Sequence, residues 1–157
     1  MAPTLLFDIS GLDLHKVQFG VQDIEKVNPH RGVMRLLDGV IHIDTQAGEA
    51  VAFHDVRPDA FWVEGHIPGR PLMPGVLMIE LAAQTASFYT LRCIPNVSFL
   101  GFVGADDIKF RGQVEPGDRL IVVGQAVEMR RRRSICRAQC LLNGTIVFEG
   151  TITGMPM

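Results

Sequence analysis

Two side chains in the segment GHIPGRPLMPGVLMIELAAQ, residues 65–84, are of types that move protons near neutral pH: His66 and Glu80. From Gly75 onward the segment is apolar in nearly every direction of a helix, with Val76, Leu77, Met78, Ile79, Leu81, Ala82 and Ala83 in succession around Glu80. Glu80, Gln84 and Ser87 fall at i, i+4 and i+7 and form one narrow polar stripe. An unpaired carboxylate in apolar surroundings is costly and responds by raising its pKa. A glutamic acid so placed carries a proton near neutral pH and can act as an acid. The plainer alternative is a stripe facing solvent or the rim of a groove, with Gln84 as a hydrogen-bonding support.

The loop before this helix can position a catalytic group. Pro68, Pro71 and Pro74 recur at the period of polyproline II, and three fixed φ angles stiffen the segment. Pro74 suits the first helical turn, where a missing N–H costs nothing. The free N–H groups at Gly75 and Val76 then point out of the helix with the positive end of its dipole, and such donors can hold a carbonyl oxygen that gains negative charge. His66 sits on this loop, an acid lies further into the helix, and those surroundings set it apart from His15, His30, His42 and His54, which read as structural.

The whole chain bounds what else is possible. Its 157 residues suit one domain with a real core, and 47% apolar with 20% charged residues is an ordinary globular balance. A net charge of −2 gives no electrostatic reason for a nucleic-acid or anionic-membrane partner. Three cysteines without a CxxC pair read as reduced thiols of a cytoplasmic protein, and no Cys/His cluster has zinc-ligand spacing. No apolar run is long enough to span a bilayer, and the N-terminus lacks the basic start of a signal peptide.

The elements that must hold the site follow from periodicity. Residues 1–20 read as an N-terminal extension and 21–157 as the domain proper. A short helix is expected within 21–38, broken by Pro29 and Gly32, then strands at 39–46 and 49–56 around Gly48, and the long helix from Pro74 to about Leu91, roughly 25 Å. Beyond it the chain turns β-rich. DDIKFRGQV and DRLIVVGQAVEM flank the turn EPGD (115–118), and two alternating apolar runs flank Asn143-Gly144, a strong hairpin signal because both residues tolerate positive φ. The prediction is an α+β fold in which an antiparallel sheet of about five or six strands, strongly curved, wraps one long central helix.

The central segment resembles the G-H-F-P-G-x-P-x-M-P-G-V-L-x-x-E-A-x-A-Q motif of the 3-hydroxyacyl-[acyl carrier protein] dehydratases of type II fatty acid synthesis, which have the hot-dog fold. The spacing from His66 to Glu80 is the same. NPHRGVMRLLDGV (28–40) resembles the family's L-P-H-R-x-P-x-L-L-V-D-R-V, and FLGFVGADDIKFRGQVEPGD (99–118) its F-L-x-x-x-D-x-x-K-F-R-x-x-V-x-P-G-D. The resemblance covers about residues 24–153. It implies that His66 takes a proton from C2 of a 3-hydroxyacyl thioester and Glu80 protonates the leaving hydroxyl, directly or through a water. Gly75, with Val76 and Gln84 as further substrate-binding residues, would hold the thioester. It implies no metal or redox cofactor, a substrate carried on the phosphopantetheine arm of acyl carrier protein, and a homodimer or trimer of dimers whose site pairs His66 of one subunit with Glu80 of the other. Ile67 stands where the family has Phe, and Leu81 where it has a small residue.

The run MRRRRS (129–134) is the single charge run. Alternation on a strand would send its arginines to both faces. Arg131 and Arg133, with Arg70, Lys109 and Arg111, could meet the acidic acyl carrier protein; the alternative is an edge strand defended by charge. No aromatic platform accompanies the run, which argues against nucleic acid. Two other functions fit the same fold: an acyl-thioesterase, separated by its free-acid product, and a non-catalytic acyl-chain or carrier-protein binder, separated by the absence of turnover.

Overall fold

A helix that is apolar all round must be covered on most sides. In the computed structural model, which describes residues 2–157, a six-stranded sheet does this. The chain runs through helix α1 (Val21–Val27), a 3-10 turn (Gly32–Met34), strands β1 (Gly39–Asp44) and β2 (Glu49–Asp55), and helix α2 (Gly75–Cys93). Strands β3 (Leu100–Phe110), β4 (Arg119–Arg130), β5 (Arg133–Leu142) and β6 (Thr145–Pro156) follow. They form one sheet in the order β1-β2-β4-β5-β6-β3, antiparallel at every pairing. Helix α2 packs against β2, β3, β4, β5 and β6. With strands about 4.8 Å apart, one helix reaches five of them only if the sheet curls around it, which is the hot-dog arrangement.

The core lies between helix and sheet. Met78, Leu81, Ala82, Ala86 and Phe88 meet Ala52, Leu120, Val122, Ala138, Cys140, Phe148 and Ile152, all buried. Burying one such large side chain contributes about 1.5–3 kcal/mol. A second, smaller cluster sits where Ile41, Val51 and Phe53 are covered by Phe7, Ile9, Leu12 and Leu14. The N-terminal segment is pinned there by Gln139, which accepts from the Leu6 N–H at 3.0 Å and donates to the Thr4 carbonyl at 2.9 Å. Residues 4–14, weakly periodic in sequence, thus pack onto the sheet.

Local chemistry explains the boundaries. Pro74 is the N-cap of α2, so the helix begins one residue after the expected start, and it runs two residues past Leu91. Asn143 and Gly144 take φ of 49° and 80°, the doubly left-handed turn that joins β5 to β6. The turn EPGD does not close a hairpin: β3 pairs with β6 and β4 with β2. Its Gly117 N–H donates instead to the Val56 carbonyl at 2.7 Å, tying it to the end of β2. The arginine run corrects the strand reading. Arg131 and Arg132 are a turn between the paired residues Arg130 and Arg133, so the run is a hairpin tip rather than a two-faced strand.

The two sheet edges differ. At β1, Gln18 and Phe19 bond the Val40 carbonyl and the Val40 N–H returns to Phe19, which covers that edge. No strand of the described residues pairs with the outer edge of β3. That strand exposes Phe102, Val103 and Phe110, each about half open to solvent.

Candidate active site

The loop from residue 65 to 74 is built around His66. Its N–H donates to the Trp62 carbonyl at 2.8 Å. Left-handed φ at Ile67 (56°) and Gly69 (81°) then turns the chain back, with Arg70 N–H donating to Ile67 O and Leu72 N–H to Arg70 O. The proline spacing therefore does not make a continuous polyproline II helix. A β-branched residue in the left-handed region costs about 1–2 kcal/mol, borne at the position beside His66. The reversal brings the Leu72 carbonyl to 2.8 Å from His66 Nδ1. A carbonyl only accepts, so Nδ1 carries the ring proton of the neutral imidazole and Nε2 keeps its lone pair. His66 is half-buried.

The loop delivers the chain directly into α2. Met73 N–H donates to the Val114 carbonyl at 2.8 Å and fixes the entry. Gly75 and Val76 occupy the first two helical positions, where N–H groups have no intrahelical acceptor. A Cβ on Gly75 would lie 3.1 Å from the Phe110 ring, so this helix start is seated on the end of β3. Val76 is exposed beside it.

The polar stripe faces inward. Gln84 is 1% exposed and Ser87 is buried with it. Gln84 Oε1 accepts from the Leu36 N–H at 2.9 Å, and Nε2 donates to the Met34 carbonyl at 2.6 Å and to Glu80 Oε1 at 2.9 Å. Two backbone groups of opposite kind thus fix which way the amide points. The Gln84 carbonyl accepts from Asn28 Nδ2 and Ser87 Oγ donates to Asn28 Oδ1, both at 3.0 Å. The stripe docks residues 28–36 onto α2. The buried side chain commits both amide protons within the chain, one of them to Glu80, which favours the hydrogen-bonding support over the substrate-binding role expected for Gln84. Glu80 differs from expectation too, since its side chain is about one-third exposed and is hydrogen-bonded. No hydrogen bond or ion pair joins His66 to Glu80 within the described residues.

Comparison with known proteins bears on this geometry. The model of the FabA-like domain matches residues 28–151. The chain belongs to the FabA-like family. It is 37% identical over 131 residues to the 3-hydroxyacyl-[acyl-carrier-protein] dehydratase FabZ of Herpetosiphon aurantiacus, covering 83% of this chain and 92% of that protein. It is 36% identical over 134 residues to FabZ of Streptococcus sanguinis, covering 85% and 94%. Among solved structures, the dehydratase heterocomplex ApeI:P from Xenorhabdus doucetiae superposes with a TM-score of 0.73 at 16% identity, covering 85% of this chain and 90% of that one. Zebra fish thioesterase superfamily member 2 superposes with a TM-score of 0.64 at 14% identity, covering 85% and 93%. At such identities these two share the fold.

A residue that sequence reasoning set aside stands beside Glu80. His30, grouped with the structural histidines, lies with Nε2 3.6 Å from Glu80 Oε1. Its position within P-H-R was the one available signal, because fifty residues separate it from Glu80 in the chain. Of the other histidines, His54 Nδ1 lies 2.7 Å from the Leu36 carbonyl, and His42 Nε2 lies 3.4 Å from Glu49. His42, Asp44 and Glu49 also bring possible metal-ligand atoms within 4.8 Å of one another, a grouping the sequence spacing did not show. Asp44 Oδ1 there caps Gln46 and Ala47 N–H groups.

The basic residues do not form one patch. Arg111 pairs with Glu149 at 2.6 Å and Arg133 with Glu128 at 3.0 Å, while Arg70 only approaches Gln113 at 3.4 Å. Lys109 aligns with Glu149 on β6, whereas Arg133 lies next to the residue aligned with Gly154. Roughly six residues of strand separate the two groups, about 20 Å. Arg70, Lys109 and Arg111 thus cluster near the helix start, and Arg131 and Arg133 sit at the far end of the sheet. Among the described residues no helix is long and apolar enough to cross a membrane.

Proposed function

We propose that this chain dehydrates 3-hydroxyacyl-[acyl carrier protein] to the trans-2-enoyl thioester in type II fatty acid synthesis, with His66 and Glu80 as its acid–base pair. The observation that carries the reading is His66 itself: a ring whose Nδ1–H is held by Leu72, leaving Nε2 as a base on the loop that enters a helix N-terminus. The FabZ relatives, matched over nearly their whole length, supply the substrate class.

His66 Nε2 takes a proton from C2, and the electron pair moves toward the thioester carbonyl. The Gly75 N–H, with the helix dipole behind it, holds the oxygen as it gains charge, and Val76 borders this position. Glu80 gives its proton to the C3 hydroxyl, which leaves as water while the C2–C3 double bond forms. One proton has moved to His66 and one from Glu80, and exchange with solvent restores both. Loss of water leaves the net oxidation level unchanged, so the step calls for no redox group, and the acyl chain arrives on phosphopantetheine. Of the basic residues, Arg70, Lys109 and Arg111 lie at the helix-start end and offer a docking face for the acidic carrier.

The unpaired edge of β3 supports a two-subunit site. Antiparallel pairing of β3 with a second copy sets the Phe110 end of one strand beside the Leu100–Phe102 end of the other. Gly75 packs on Phe110, and Glu80 shares a small cavity with Leu100 and Phe102. The pairing therefore brings the His66 loop of one subunit toward Glu80 of its partner, and it buries the three exposed apolar side chains. Such dimers could assemble further as trimers.

The test follows enoyl-thioester absorbance in both directions on wild type and Glu80→Gln. The expected result is interconversion by wild type and a loss of at least about 100-fold in the near-isosteric variant. Release of free thiol without enoyl product identifies a thioesterase instead, and folded wild type inactive over several chain lengths on carrier protein overturns the enzyme reading.

A further inference from the structure

His30 is held in an unusual way for a structural histidine. Its side chain is about one-quarter exposed, and Nδ1 is wholly enclosed with no hydrogen-bond partner. A buried imidazole nitrogen left unpaired normally costs about 1–3 kcal/mol. Its other nitrogen, Nε2, points at Glu80 Oε1 from 3.6 Å, just beyond hydrogen-bond length in the chain alone. The segment carrying it is fixed from behind. Asn28 is clamped by Ser87 and the Gln84 carbonyl, and Arg31 bonds the carbonyls of Glu25, Asn28 and His30. The ring therefore has little freedom to turn away.

Gln84 has already been seen to donate to the same oxygen of Glu80, Oε1, in an orientation that Leu36 and Met34 dictate. The Gln84 N–H and the His30 ring nitrogen both face Oε1, and Oε2 has no hydrogen-bond or ion-pair partner among the described residues. The two oxygens of this carboxyl are thus made inequivalent. Oε1 is the anchored one, and Oε2 is the one free to carry the proton.

We infer that His30 is a positioning residue for Glu80, its neutral ring donating Nε2–H to Oε1 so that the transferable proton resides on Oε2 and the carboxylate left after transfer is stabilised. This rests on the dehydratase reading of Glu80. The charged groups facing His30 are Glu80 from α2 and its neighbour Arg31; the β3 and β6 walls of the cavity, Leu100, Phe102, Ile152, Thr153 and Gly154, carry none. Burial lowers the pKa of His30, Glu80 opposes that and Arg31 adds to it. The ring is accordingly neutral at the pH where Glu80 must deliver a proton. The enclosed Nδ1 without a partner fits the same assignment, because with the proton on Nε2 it carries only a lone pair.

The test uses the full chain with a 3-hydroxyacyl pantetheine thioester and His30→Leu, His30→Gln, Glu80→Gln and the double variant His30→Leu/Glu80→Gln. His30→Leu is expected to lower kcat about tenfold with KM within about twofold, since one hydrogen bond to a charged group is lost from the transition state. His30→Gln, which keeps an N–H near the Nε2 position, restores most of kcat. In the Glu80→Gln background His30→Leu has no further effect beyond about twofold, because the group it acts through is gone. Equal losses in both backgrounds, or a His30→Gln variant no better than His30→Leu, make His30 a wall of the pocket and overturn the inference. An NMR titration of the histidine rings supplies a readout that does not need turnover: the His30 midpoint drops in Glu80→Gln, as removal of the nearby carboxylate requires. An unchanged midpoint overturns the pairing. A shifted midpoint in a wild type that does not turn over substrate overturns the dehydratase reading and leaves the pairing standing.

Discussion

Replacing Gln84 by leucine keeps the volume of a buried side chain and removes its amide. Three bonds disappear with it: Leu36 N–H to Oε1, and Nε2 to the Met34 carbonyl and to Glu80. The Leu36 N–H is buried and gains no other acceptor, which costs about 2 kcal/mol. The Met34 carbonyl and Glu80 are partly open to water, and their losses add about 2 kcal/mol together. Leucine returns about 1 kcal/mol through its greater apolar burial. The net is about 3 kcal/mol, or roughly 6–12 °C in Tm for a domain of this size. Thermal unfolding at one fixed protein concentration measures it, with Ser87→Ala, which breaks a single bond, as the milder control. Turnover by the folded variant at 25 °C should also fall about tenfold or more, because Glu80 loses the donor that orients it. A Gln84→Leu protein within about 1 kcal/mol of wild type and with unchanged kcat would falsify the account of the stripe as the clamp between residues 28–36 and the helix.

Three further outcomes follow. Mixing His66→Ala and Glu80→Gln protomers after subunit exchange should recover about a quarter of wild-type activity, since half the dimers are mixed and each mixed dimer has one intact site; no recovery in demonstrably mixed dimers counts against a site built from two subunits. For Asp38, burial pushes the carboxyl up, but His54, the Asp55 N–H and Arg57 together outweigh burial and hold it below its ordinary value. Its contribution is present above about pH 4 and disappears as pH falls through the lower folded value, so Asp38→Asn should lose about 2 kcal/mol at neutral pH and flatten the acid side of the stability curve in urea titrations. Burial, with Cys93 nearby, pushes the Cys136 thiol up to about 12, and burial alone pushes Cys140 higher still. Both should resist iodoacetamide at pH 8 in the native protein and react once it is unfolded, as read by mass spectrometry; modification of the native form at the unfolded rate would show that the core opens readily.

Much of the molecule was legible because its signals are local. The apolar run from Val76 to Leu91 specifies a helix that must be enclosed, Asn143-Gly144 specifies a hairpin, and the loop with His66 followed by Glu80 marks the candidate site. These rest on backbone preference and side-chain type over a few residues. The pairing of β3 with β6 was not legible, because both edges of a strand read alike until a partner is chosen. The arginine run looked like a strand because its four residues carry no glycine or asparagine to announce a turn. The left-handed Ile67 was hidden for a similar reason: a β-branched residue is a poor advertisement for positive φ, and only the closure of His66 onto Leu72 holds it there.

The helix, most of the strands and the choice of His66 and Glu80 as candidate acid–base residues could be read from the sequence, since each depends on periodicity or chemistry within one short segment. Tertiary packing turns Gln84 inward against Glu80, sets His30 beside that carboxyl, and splits the basic residues into two groups at opposite ends of the sheet. Those facts depend on which distant segments meet, and contact between residues fifty positions apart is fixed by packing the whole core, which no local pattern encodes.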